Sequence, residues 1–100
     1  MKTLKLEKSI KWKLFLEKIK KDGDIIAFLP EIPANSGFIM SYQHTGQHGE
    51  ASLNYYQDGT KKANNEEYQA LLNEIKNIYD NEIIEVKQKI NYDDLSKSWV

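Results

Sequence analysis

Apolar side chains occupy even positions along the first stretch of chain, at Leu4, Leu6, Ile10, Trp12, Leu14 and Leu16. The odd positions are mostly polar: Thr3, Lys5, Glu7, Ser9, Lys11, Lys13 and Glu17. A period of two belongs to extended chain with one buried face. Lys8 and Ser9 interrupt the apolar side and Phe15 the polar side, so the spacing predicts a bend near Ser9 and a firm strand over 10–18. Lys21-Asp22-Gly23-Asp24 follows as a tight hairpin turn, because glycine takes positive φ without steric cost. Ile25–Leu29 is apolar on both faces, as expected of a central strand covered on both sides. Pro30 and Pro33 close it, since proline has no N–H to give a ladder.

Alternation resumes over Phe38–Gln43, with Phe38, Met40 and Tyr42 on one face. A glycine-rich loop is expected over 44–50. A further strand is expected over Ala51–Gln57, with Leu53 and Tyr55 on one face, and Asp58-Gly59 turns the chain. Tyr68, Leu71, Leu72, Ile75, Ile78 and Tyr79 then recur at spacings of three and four, which predicts one amphipathic helix. Asn64 is its N-cap, Glu67 completes a capping box, and Glu66 and Glu67 suit the positive end of the helix dipole. Asp80-Asn81 ends the helix. Ile84, Val86 and Ile90 alternate with Glu85, Lys87 and Lys89 in a last strand, and Asp93–Ser98 is read as a short helix that tucks Trp99 against the body.

The order β-β-β-β-α-β, with a short C-terminal helix, predicts one α+β domain over 1–100. Its sheet is four- to five-stranded and mostly antiparallel, with the amphipathic helix packed on one face. One helical stripe cannot cover both faces. Phe15, Ile26 and Phe28 lie on the other side, where they form either a self-association patch or a surface that the N-terminal segment or the last helix covers. A homodimer is the assembly that the first alternative implies.

Charge and composition narrow the chemistry. Of the residues, 40% are hydrophobic and 29% charged, a globular balance. Residues 1–21 hold eight lysines against Glu7 and Glu17, a net of +6, and residues 63–86 hold six acids against Lys76, a net of −5. All fourteen cationic residues are lysine. Without the planar fork of arginine, sequence-specific nucleic-acid readout is not expected. The absence of cysteine removes disulfides, thiolate metal sites and cysteine nucleophiles. The longest apolar run, Ile25–Leu29, is too short for a bilayer, and no apolar block follows the N-terminal lysines, so a cytoplasmic protein without membrane contact is expected.

Several stretches resemble a family of small uncharacterised bacterial proteins, met also in phages and mobile gene cassettes. They are Gly23 to Ala34, then Ser41-Tyr42-Gln43-His44-Thr45-Gly46-Gln47-His48-Gly49, then Tyr55-Tyr56, Thr60-Lys61 and Glu66-Glu67-Tyr68. The likeness covers roughly 12–86, and the Ser41–Gly49 stretch is its specific part. Asn64-Asn65 stands where that family usually has Thr-Pro, and arginines common near its C-terminus are missing here. The resemblance implies a compact prokaryotic domain and brings no assigned activity.

The candidate site is drawn from that motif: Tyr42, His44, Gly46, Gln47, His48 and Gly49, with Glu31 from the preceding loop. His44 and His48 lie four apart, but the glycines argue against the helical two-histidine zinc face that this spacing first suggests. In a loop the two rings could still share a cation with Glu50 or Glu31, or one could move protons, with Tyr42, Gln47 or Glu31 orienting it. No nucleophile pattern surrounds Ser41 or Ser52. Glycine backbone N–H groups could form an anion-holding nest, and Gln47, the histidines and Tyr42 offer adaptable polar contacts. The plain alternative is a turn that the histidines hold together. The expectation is a non-enzymatic binding or interaction module for an unidentified protein or small-molecule ligand, with no cofactor or metal. An enzyme or metal-binding protein using His44 and His48 is the alternative.

Overall fold

The computed structural model describes residues 12–44, 47–78 and 84–99. Strands β1 (Trp12–Ile19), β2 (Ile25–Leu29), β3 (Phe38–Gln43) and β4 (Gln47–Ser52) come first. A π-helical turn (Tyr55–Gly59) leads into β5 (Thr60–Lys62), helix α1 (Asn65–Ile78), strand β6 (Ile84–Lys87) and helix α2 (Tyr92–Lys97). The sheet runs β4-β3-β2-β1-β5, with β6 also paired to β1. Every pairing is antiparallel except that of β6 with β1. The α+β architecture and its mostly antiparallel sheet thus match the expectation from patterning.

The far edge of β1 is divided between two short strands. Trp12 to Phe15 pair in parallel with β6, and Glu17 to Ile19 pair antiparallel with β5. On its other edge β1 joins β2 through the predicted hairpin. Gly23 there has φ +81°, its N–H donates to the Ile19 carbonyl at 2.7 Å, and the Asp22 carboxylate accepts the Asp24 N–H at 2.9 Å.

Two cores flank the sheet. On one face Leu14, Leu16, Ala27, Leu29 and Tyr42 pack beneath Leu71, Leu72 and Ile75 of α1. The helix begins as its sequence requires: Asn64 Oδ1 accepts the Glu67 N–H at 2.8 Å, and the Glu67 carboxylate accepts the Asn64 N–H at 2.9 Å. On the other face Phe15, Ile19, Ile26, Phe28 and Ile39 enclose Leu95 of α2, and Leu53, Tyr56, Ile90 and Trp99 close the margin. Phe15 and Ile26 are each 2% exposed and Phe28 is 0%. The apolar surface formed by Phe15, Ile26 and Phe28 is covered within the chain, by α2 and the π-helical turn. Trp99 tucks in as expected, its Nε1–H donating to the Phe38 carbonyl at 2.8 Å.

Two local expectations differ from the structure. Gln47 to Glu50 belong to β4 and not to a loop, so the turn after β3 is short. Residues 55–57 are helical and not extended. Leu53 and Tyr56, three apart, both reach the second core, whereas Tyr55 is exposed. Thr60-Lys61-Lys62, between that turn and the helix, forms strand β5. Gly59 serves close approach: a Cβ there would lie 2.8 Å from the Tyr55 ring. The expected helix end at Tyr79 to Asn81 and the alternation before Trp12 fall outside the described residues.

These assignments separate two apolar residues that pattern alone treats alike. Leu95 is 0% exposed and Ile78 is 47% exposed. Leu95→Ala is expected to cost about 2–5 kcal/mol, and Ile78→Ala to stay within about 0.5 kcal/mol. Urea denaturation of the two variants checks this.

Candidate functional site

β3 turns Tyr42 toward α1, and strand pairing sets His48 of β4 directly opposite Tyr42. Residues opposite one another share a face, so both rings lie on the helix side. They meet edge to face with centroids 4.9 Å apart. Tyr42 is buried, and its hydroxyl reaches past the core to donate to Glu74 Oε2. Glu74 precedes Ile75 on α1, at the edge of the buried stripe, which leaves its carboxylate partly exposed at the rim.

The other oxygen of that carboxylate engages the motif. Glu74 Oε1 lies 2.7 Å from Nδ1 of His44, just past the end of β3. The Tyr42 hydroxyl, first, and the His44 contact, second, hold the Glu74 carboxyl below the usual carboxylate range. It is therefore ionised at neutral pH and can only accept. The proton on this side of the imidazole must sit on Nδ1, which in the neutral ring leaves the lone pair on Nε2. A carboxylate holding one ring nitrogen fixes both the tautomer and the orientation of the other.

Beside this relay runs a cleft of about 400 Å³ between α1 and the ends of β2 and β3. Ile25, Ala70 and Leu71 supply apolar lining, and Asp24, Gln43, His44, Glu67 and Glu74 supply polar groups. Glu67 is held there from two sides. It caps the helix at Asn64, and it receives the Lys18 ammonium at 2.6 Å.

The expected site residues part company in space. Tyr42, His44 and His48 come together. Gly46 lies outside the described residues, as does the side chain of Gln47. Gly49 sits within β4, where its carbonyl accepts the Ser41 hydroxyl at 3.0 Å and open space surrounds the position a Cβ would take. It frames no loop and contributes to no nest of N–H groups. Glu31 lies past the opposite end of β2 from His44, and its carboxylate accepts the Lys13 N–H at 2.8 Å. Glu50 is likewise engaged elsewhere, with the Asn35 backbone and side-chain nitrogens. Among the described residues no three histidine or carboxylate side chains are grouped so as to hold a metal ion, and no helix is long and apolar enough to cross a membrane.

Glu74, Asp24 and Glu67 are the residues that sequence reasoning missed. Glu74 carries a weak signal, since it borders the apolar stripe between Leu71 and Ile75. Nothing local, however, shows which acid of the helix meets the motif.

A carboxylate whose folded pKa is depressed adds stability that is present above its unfolded pKa and is lost as pH falls through the folded value. Glu74→Gln should therefore lower stability at neutral pH, and its stability should fall less steeply than that of the parent as pH drops below the ordinary 4.5. Urea midpoints measured across the acid range check this, and parallel acid limbs would contradict it. No protein-family model, curated protein or solved structure matches the chain, so the reading of the site rests on its own geometry.

Proposed function

We propose that the protein is a small non-enzymatic binding module that receives, in the cleft beside α1, a ligand joining a basic group to a short apolar stem. One observation carries this reading. The chain has almost equal numbers of lysines and acids, 14 and 15, yet among the described residues the cleft is lined by three acids and no lysine. Lys18 pairs with Glu67 at 2.6 Å from outside the lining and Lys61 also acts on that carboxylate, so Asp24 and Glu74 carry the remaining negative charge. The field inside the cleft therefore favours a cation, while Ile25, Ala70 and Leu71 offer an apolar surface to a stem. Small-molecule sites commonly pair an apolar wall with a few convergent polar groups. An alkylammonium or guanidinium group, free or on a peptide side chain, has the matching chemistry.

The second reading is general acid–base chemistry at His44. The observation favouring it is the carboxylate–imidazole contact, an arrangement in which a base is oriented by a third group. The acidic lining of the cleft weighs for binding.

Titration with n-butylammonium, followed by amide chemical shifts, tests the proposal. The shifts of Ile25, Ala70 and Leu71 should move together and saturate, butyrate should leave them unmoved, and Glu67→Gln with Glu74→Gln should weaken the response about tenfold, for two charge-assisted contacts. Spermidine and an arginine-containing peptide distinguish a free amine from a peptide side chain. Equal responses to butylammonium and butyrate, or shifts elsewhere only, would refute the reading.

A further inference from the structure

Glu17 lies on the face of the sheet away from α1 and takes no part in the cleft. It is 5% exposed, among the most buried charged-type residues described. Its surroundings contain a proton-counting problem. Thr60 Oγ1 lies 2.9 Å from Glu17 Oε1 and also 2.9 Å from the carbonyl oxygen of Tyr56. A hydroxyl has one proton, and a carbonyl can only accept. If Glu17 were ionised, the single Thr60 proton could make a full bond to one of these oxygens only. The other contact would be left with at best a weak share of a divided proton. Inside a protein that arrangement is costly. If the carboxyl keeps its proton, both contacts are satisfied: Glu17 donates to Thr60, and Thr60 donates to Tyr56.

We propose that Glu17 is a neutral carboxylic acid in the folded protein, and that its proton, relayed through the Thr60 hydroxyl, latches β5 and the π-helical turn onto β1. Besides this contact, β5 pairs with β1 from Glu17 to Ile19, and the Tyr56 ring packs on the second core. β5 is three residues long, and the turn ahead of it is joined to the end of β1 by the Lys20 N–H donating to the Gly59 carbonyl at 3.0 Å.

The groups facing Glu17 allow this state. β2 presents Ile26, which stands opposite in register, and β1 itself presents Phe15 and Ile19 on the same face. β5 presents Lys62, opposite Glu17 in register and exposed to solvent. The turn presents Tyr56, whose phenol oxygen accepts the Ile90 N–H at 3.4 Å and which burial keeps protonated above the usual tyrosine range. Burial raises the Glu17 carboxyl above the ordinary glutamate value, outweighing the Thr60 contact and the Lys62 charge, which act the other way.

The sign of the linkage follows. A carboxyl whose folded pKa is raised adds stability that is complete below its unfolded pKa and is lost as pH rises through the folded value. The latch therefore weakens on the alkaline side. β5 leads straight into α1, where the Ala63 N–H donates to the Leu16 carbonyl at 3.3 Å and Asn64 caps the helix. Opening the latch thus loosens the helix entry.

Two measurements test the proposal on the full chain. In the parent protein, the side-chain carboxyl carbon of Glu17, followed by NMR, should titrate with a midpoint above the ordinary glutamate range. A midpoint within or below that range overturns the proposal. Glu17→Gln supplies an amide N–H that can donate to Thr60 at any pH. Its urea midpoint should match that of the parent in acid and exceed it increasingly as pH rises, whereas a difference that is constant with pH overturns the proposal. If the variant does not fold, the titration of the parent carboxyl decides alone.

Discussion

Both faces and both edges of β1 are occupied, and nearly every other element takes its position from that strand. Leu14 and Leu16 turn to α1, and Phe15 and Ile19 turn to α2 and the π-helical turn. One edge pairs with β2, while the other is shared by β6 and β5, which lie end to end along it. A backbone buried on four sides must find all its hydrogen-bond partners within the protein. That demand explains why two strands as short as β5 and β6 exist at all. Neither is long enough to persist alone, and each completes a part of the ladder that would otherwise be left open.

The same arrangement sets the candidate site. β2 and β3 extend from β1 toward the β4 edge, and α1 lies across their helix-side face. Where β3 ends, His44 comes level with the flank of α1, and Tyr42 passes a hydroxyl out of the core to Glu74. A buried aromatic, a helix carboxylate and an exposed imidazole are thereby tied into one relay that borders the cleft. Two of the three acids of α1, Glu67 and Glu74, face this cleft because its apolar stripe faces the core. Glu67 and Glu74, seven residues apart and therefore about two turns, fall on one margin of that stripe. Two of the six acids of residues 63–86 thereby line a concave surface.

Features determined by neighbours in sequence were legible, and features determined by distant partners were not. The capping box at Asn64 and Glu67 spans one turn, and the turn at Gly23 spans four residues, so each carries its own signal. The strands over Ile25–Leu29 and Phe38–Gln43 declared themselves by apolar content and alternation. β4 did not, because as an edge strand with exposed His48, Gly49 and Glu50 it has the polar look of a loop. Leu53 and Tyr55 suggested a strand by alternation, yet burial selected Leu53 and Tyr56, the helical spacing of the same stretch. The pairing of β6 in parallel with β1 joins residues about seventy positions apart, and no local pattern encodes it. The motif pointed to Tyr42, His44 and His48; in space Tyr42 packs on His48 and shares Glu74 with His44. Glu31 was drawn in by proximity in sequence, although β2 carries it to the far end of the sheet.

Native-state hydrogen exchange tests most directly whether β1 is the element on which the rest depends. If it is, the amides of Phe15, Leu16, Glu17 and Lys18 exchange only through global unfolding, with the full denaturant dependence of that transition, while amides of the β4 edge exchange through smaller openings. Exchange of these β1 amides by local opening, as fast as that of β4, would contradict the account.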